Sequence, residues 1–221
     1  MRIARPFDLE LEYQRLMMAV GLFLPEPQRI VQLGLGAAAL TKFCWREVSS
    51  ARVVAVELSV DVIEAARAWF CLPPEDARLA VVNADARKFI SEPRQRGRAD
   101  WLQVDLYDAA ARGPVYDDAA FYRACRKSLR APGVASFNLF GSKFDPSFAA
   151  IASAFDDRLV VLPEVDAGNR VVLAVVGPPL DVAFSALDKR ARELEARWKL
   201  KARGWVAGLR RANTFGARFE L

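Results

Sequence analysis

The sequence predicts a doubly wound α/β fold, with a mostly parallel seven-stranded sheet, an antiparallel last strand and a C-terminal helical tail. Three observations carry this. Short β-branched runs alternate with longer segments of helical periodicity, the pattern of repeated βα units. The first strand candidate runs directly into Gly34-Leu35-Gly36-Ala37, a tight turn from strand to helix. The last two strand candidates flank Asp166-Ala167-Gly168-Asn169, a hairpin composition.

Arg29–Leu33 reads as the first strand and Ala37–Trp45 as the helix after it. Val53–Glu57 is a strand, and Val60–Phe70 a helix stopped by Pro73-Pro74. Leu79–Val82 is a strand leading to a short helix, Ala86–Ile90, and Trp101–Asp105 is the next strand. Asp117–Leu129 reads as a helix ended by Pro132-Gly133, with Val134–Asn138 as a strand. Phe148–Phe155 is helical, and Leu159–Leu162 and Arg170–Val176 close the sheet. Gly177-Pro178-Pro179 marks a boundary. The chain divides into an N-terminal substrate-side helix (1–25), a Rossmann-like domain (26–178) and a basic amphipathic extension (179–221).

At 221 residues the chain can bury about 70% of its unfolded surface, enough for a full core. Histidine is absent, which removes Ser-His-Asp and Cys-His catalysis, His-ligated metals and a histidine base. Cys44, Cys71 and Cys125 lack metal or redox spacing and read as buried free thiols in a reducing compartment. The apolar run Leu16–Leu24 is too short to span a bilayer, so a cytoplasmic protein without a membrane span is expected. The net charge of +5 sits wholly in residues 181–221, which hold ten basic and five acidic side chains. The remainder is neutral.

Gly34 and Gly36 let the backbone approach a ligand closely. Glu57 ends the second strand, where an acid can accept hydrogen bonds from both hydroxyls of a ribose. Asp85, in Asn83-Ala84-Asp85-Ala86, can take the exocyclic amine of adenine, cap the following helix, or do both. Glycines, an acid and an acid at three strand ends describe an adenosine site that fits NAD or S-adenosylmethionine. Asp105 and Asp108 then favour the latter. Hydride transfer has little use for an acidic pair, whereas an amine attacking a sulfonium does, because both partners are cationic and the amine must lose a proton. A solvated acidic loop is the plain alternative.

Glu12-Tyr13-Gln14, Gly34–Ala39, Val56-Glu57-Leu58 with Asp61-Val62-Ile63, Asp85-Ala86 and Asp105–Asp108 followed by Gly113-Pro114 and Phe121-Tyr122 resemble the spermidine synthase (polyamine aminopropyltransferase) family over roughly residues 10–177. The resemblance implies a methyltransferase-type Rossmann fold and aminopropyl transfer from decarboxylated S-adenosylmethionine to a polyamine-like amine, without a metal. It implies Gly34, Gly36, Glu57, Asp85 and Ala86 as donor-binding residues and Asp105 as the carboxylate that orients and deprotonates the amine. Tyr13, Gln14 and Asp108 are implied to hold the amine and the aminopropyl chain.

Four departures shape the expectation. Ala37 stands where the family has an aspartate that meets the aminopropyl ammonium, which opens the site to ordinary S-adenosylmethionine. Asn138-Leu139-Phe140 replaces a polar Gln-x-Glu, and Val165 replaces a substrate-side tyrosine. The resemblance begins near residue 10, so the family's small N-terminal β-domain is expected to be absent. An S-adenosylmethionine-dependent methyltransferase and a catalytically idle adenosine-binding or assembly protein are therefore the alternatives, with an NAD-dependent oxidoreductase behind them.

In the tail, Leu180, Phe184, Leu187, Ala191, Leu194, Trp198, Ala202, Trp205 and Leu209 recur at steps of three and four, one apolar face of a helix that Gly204 and Gly208 should weaken. The expectation is packing on the body or on a second subunit of a homo-oligomer. Contact with nucleic acid or an anionic membrane is less favoured.

Overall fold

The computed structural model describes residues 1–108, 113–141, 144–165 and 168–221. Asp166 and Ala167 of the expected hairpin turn lie outside them. Strands β1 (Arg29–Leu33), β2 (Arg52–Glu57), β3 (Leu79–Asn83), β4 (Ala99–Val104) and β5 (Leu129–Phe140) run parallel. β7 (Asn169–Val176) pairs antiparallel with both β5 and β6 (Leu159–Val161), giving the order β3-β2-β1-β4-β5-β7-β6. The doubly wound class and the antiparallel last strand are as expected.

The strands read as apolar runs because both sheet faces are covered. Alternate residues feed two cores. Ile30, Val53, Trp101 and Val134 face one of them, together with Phe43 of helix α2 (Ala39–Glu47) and Ile63 of α3 (Val60–Trp69). Val31, Val54, Leu102 and Ala135 face the other, against Phe89 of α4 (Ala86–Ser91), Phe121 of α5 (Ala119–Ser128) and Ile151 of α6 (Phe144–Ala154). Upstream, α1 (Glu12–Met17) and a 3₁₀ turn (Met18–Leu22) bury every residue from Met17 to Leu22.

Three expectations are corrected. Pro132-Gly133 does not precede a strand but lies inside β5, which already begins at Leu129. The ladder pairs Ala99 with Leu129 and then Trp101 with Val134, so Arg130–Gly133 bulges out of register. A proline is tolerated there because no ladder N–H is needed. Cys71 is exposed, unlike Cys44 and Cys125; it lies just past the end of α3, in a left-handed conformation (φ 55°).

The tail is not one helix. Strand β8 (Asp181–Ala183) leads into α7 (Phe184–Trp198), Lys199 breaks the helix in the left-handed region (φ 58°), and α8 (Ala202–Ala212) and β9 (Arg218–Glu220) follow. The break falls before either glycine. Gly208 lies within α8, where an added Cβ would come 3.0 Å from Pro163 Cδ, so the small residue serves close packing. Leu187, Trp198, Leu209 and Phe219 join the core of Ile30 and Trp101, and Arg190 Nη1 donates to the Leu22 carbonyl at 2.9 Å. The apolar face is thus buried on the chain's own body. Among the described residues, no helix is long and apolar enough to cross a membrane.

Candidate active site

The sheet order reverses between β1 and β4, and a cavity of about 740 Å³ opens at their carboxyl ends, a size suited to a nucleoside with an attached chain. The turn after β1 forms its floor. Gly34 has φ 97°, and a Cβ there would meet the Asp105 carbonyl oxygen at 2.3 Å. Only glycine allows the two strand ends to pack so closely. A Cβ at Gly36 would meet nothing within 4 Å, so the loop leaves open space at that point.

Glu57 reaches under this turn. Its Oε2 accepts from Leu35 N and its Oε1 from Ser59 N, both at 3.0 Å. The carboxylate thereby orders the loops on either side of the cavity, and each oxygen keeps a lone pair for a further donor. Asp85 caps α4, with Oδ1 accepting from Lys88 N at 2.8 Å and Oδ2 accepting from the Tyr116 hydroxyl at 2.5 Å. Partial burial would raise this carboxyl, but the Tyr116 hydroxyl and the Lys88 and Arg87 amides outweigh it and hold the group below its ordinary value. Tyr116 lines the cavity with its neighbour Val115, and Arg87 lies over its ring, 4.5 Å from the centroid. Ala86 lines the cavity as well, while Asp85 stands behind it.

Asp105 follows β4 and is densely surrounded, keeping only a limited surface toward the cavity. Oδ2 accepts from the Tyr13 hydroxyl at 3.2 Å and Oδ1 from Asn138 Nδ2 at 2.9 Å. Gln14 Nε2 donates in turn to the Tyr13 oxygen at 3.4 Å. Burial pushes the Asp105 carboxyl above its ordinary value, and the bonds from Asn138 and Tyr13 offset part of that rise. The Tyr13 and Tyr107 phenols are raised by burial and, next, by the Asp105 charge, so both stay protonated.

Tyr13, Gln14, Gly34, Gly36, Glu57, Ala86, Asp105 and Asp108 are thus brought to one cavity. Val165 is not. It lines a separate cleft between the N-terminal segment and the α7–α8 junction. Asn138, the first residue of the triplet that replaces the family's Gln-x-Glu, holds the central carboxylate. Tyr107 and Tyr116 had a local signal, a phenol between two acids and a phenol after Gly113-Pro114, but the partners of Tyr116, Asp85 and Arg87, are remote in sequence.

The charge of the cavity is one-sided. Its described lining includes Glu57, Asp105 and Asp108 and no lysine or arginine, so it favours cations. Among the described residues no cluster of three cysteine or acidic side chains is placed to hold a metal ion.

No family model matches the chain. It is 33% identical over 210 residues to the polyamine aminopropyltransferase of Chromobacterium violaceum, spanning 94% of this chain and 80% of that one. This chain belongs to the polyamine aminopropyltransferase (spermidine synthase) family. The polyamine aminopropyltransferase of Neisseria meningitidis serogroup A is 29% identical over 225 residues, covering 100% of this chain and 85% of its own. The fold is shared more widely. A probable spermidine synthase from Corynebacterium glutamicum superposes with TM-score 0.73 at 19% identity, covering 98% of this chain and 84% of the other. Human methyltransferase-like protein 13, solved with SAH, superposes with TM-score 0.74 at 22% identity over 85% and 92% of the two chains. A spermidine synthase bound to the transition-state analogue AdoDATO gives TM-score 0.63 at 22% identity, over 76% of this chain and 62% of that one. Ala37, the position at which the sequence resemblance placed the family's aspartate, lines the cavity without a charge.

Proposed function

We propose that this cavity binds decarboxylated S-adenosylmethionine and transfers its aminopropyl group to a polyamine-like amine. The observation that carries the reading is Asp105, fixed by Tyr13 and Asn138 in the wall of a cavity whose described charges are all acidic. Glu57 would receive the ribose hydroxyls, with Gly34 and Gly36 beneath, and Asp85 and Ala86 would border the base. Tyr13, Gln14 and Asp108 would hold the amine and the aminopropyl chain.

In this reading Asp105 accepts a proton from the attacking amine as its nitrogen forms a bond to the donor's methylene carbon. The carbon–sulfur bond breaks, its electron pair stays on sulfur, and methylthioadenosine leaves. Burial suits Asp105 to the task, since a raised carboxyl is a stronger base than an ordinary one. The fixed bonds from Tyr13 and Asn138 hold the oxygens in place before substrate arrives.

Ala37 supports a second reading, methyl transfer from ordinary S-adenosylmethionine, because nothing at that position rewards a decarboxylated donor. The test is incubation with each donor and a panel of diamines and polyamines. Methylthioadenosine release is expected; S-adenosylhomocysteine would establish methyl transfer instead. Tight nucleoside binding with neither product would overturn both.

A further inference from the structure

The edge of the sheet opposite the cavity carries uncompensated positive charge. Arg29 opens β1 and sits in register with Arg52, which opens the neighbouring strand β2. Both side chains fall on the same face as Val31 and Val54 by strand alternation. Arg98 directly precedes β4, the strand on the other side of β1, and its N–H donates to the Ser128 carbonyl at 2.8 Å, fixing that stretch beside the end of α5.

Two acids near this edge, Asp100 and Glu92, are already engaged. Asp100 Oδ2 accepts from Gln28 N at 2.6 Å and Arg29 N at 2.8 Å, and Oδ1 pairs with Arg130 at 2.5 Å. Glu92 pairs with Arg94 at 2.6 Å. Among the described residues, no ion pair joins Arg29, Arg52 or Arg98 to a carboxylate, and Arg29 Nε is buried without an acceptor. Burial, followed by the charges of Arg52 and Arg98, presses the Arg29 guanidinium below its ordinary value. Three like charges around one half-buried centre repel each other until an anion joins them.

We propose that Arg29, Arg52 and Arg98 form a second binding site, for a small phosphate-bearing anion of two or more charges. Guanidinium forks match phosphate oxygens in pairs, and an oxygen of such an anion supplies the acceptor that Arg29 Nε lacks. Arg52 is the register partner of Arg29, and the charges of both Arg52 and Arg98 act on Arg29, so the trio fits a compact diphosphate better than an extended nucleic-acid strand. The site is independent of the adenosine cavity and of the reaction proposed there.

The test is titration calorimetry of the full chain with pyrophosphate at about 0.15 M salt. A dissociation constant below about 1 mM is expected, weakened at least about tenfold by Arg52→Gln with Arg98→Gln. Both side chains are exposed, so the fold should survive; the single Arg52→Gln variant serves if the pair does not fold. Lys189→Gln with Arg192→Gln removes the same charge from exposed positions of α7 and should leave affinity unchanged. Uridine diphosphate identifies the source: tighter binding than pyrophosphate indicates a nucleotide, and equal binding the free anion, both in support. No binding, equal loss in the α7 control, or an oligonucleotide that binds where pyrophosphate neither binds nor displaces it would each overturn the site.

Discussion

The Tyr13 hydroxyl donates to Asp105 Oδ2 at 3.2 Å, joining two residues 92 positions apart. The bond fastens α1 over the carboxyl edge of the sheet and turns the buried carboxylate toward the cavity. Asn138 completes the arrangement from β5. Three separate parts of the chain therefore determine the position and basicity of one group.

Asp105→Asn is expected to lower turnover by about two to four orders of magnitude while nucleoside affinity hardly moves. The same change should stabilise the fold near neutral pH. The folded chain binds the Asp105 proton more tightly than the unfolded one, because burial raises the carboxyl. The stability linked to that proton is present below the ordinary carboxylate value and is lost as pH rises through the raised one. Thermal unfolding should show Asp105→Asn ahead of the parent at pH 7 and level with it at strongly acid pH. A fully active variant would move the chemistry elsewhere.

The acid limb of kcat/KM should lie above the ordinary carboxylate range, since Asp105 must be deprotonated to accept a proton. Asn138 and Tyr13 both hold its value down. Asn138→Leu and Tyr13→Phe should therefore each move that limb to higher pH. Profiles that overlay the parent's would remove Asp105 from the role of base.

Glu57→Ala should weaken methylthioadenosine binding by roughly tenfold or more, the loss of charge-assisted hydrogen bonds. It also strips the Leu35 and Ser59 amides of their acceptor. Hydrogen exchange at those two amides should accelerate, with amides deep in β1 and β4 unchanged. Calorimetry showing unaltered affinity would exclude the ribose contact.

Trp198→Ala should destabilise the chain by about 3–5 kcal/mol in urea unfolding, as for other large core truncations. Trp198 is 3% exposed and shares the core of Ile30 and Trp101. A loss within about 0.5 kcal/mol, as for a surface substitution, would show the tail to be an appendage.

The sequence by itself determined the alternation of strands and helices, the closing hairpin strands and most members of the cavity. Those signals are local: hydrophobic period, turn composition, and acids at strand ends. It also showed that the tail has an apolar face.

Only the tertiary structure decided what that face covers and how it is divided, because the left-handed Lys199 and the packing of Gly208 on Pro163 depend on remote partners. It placed Pro132 in a bulge, where a proline reads locally as a stop but costs no ladder bond. It gave Asn138, part of the triplet that departs from the family pattern, a hydrogen bond to Asp105, and it sent Val165 to another cleft. It also separated the charges of a body that is neutral by composition, gathering acids at one sheet edge and unpaired arginines at the other. Composition sums charge along the chain, whereas binding responds to where the fold brings those charges together.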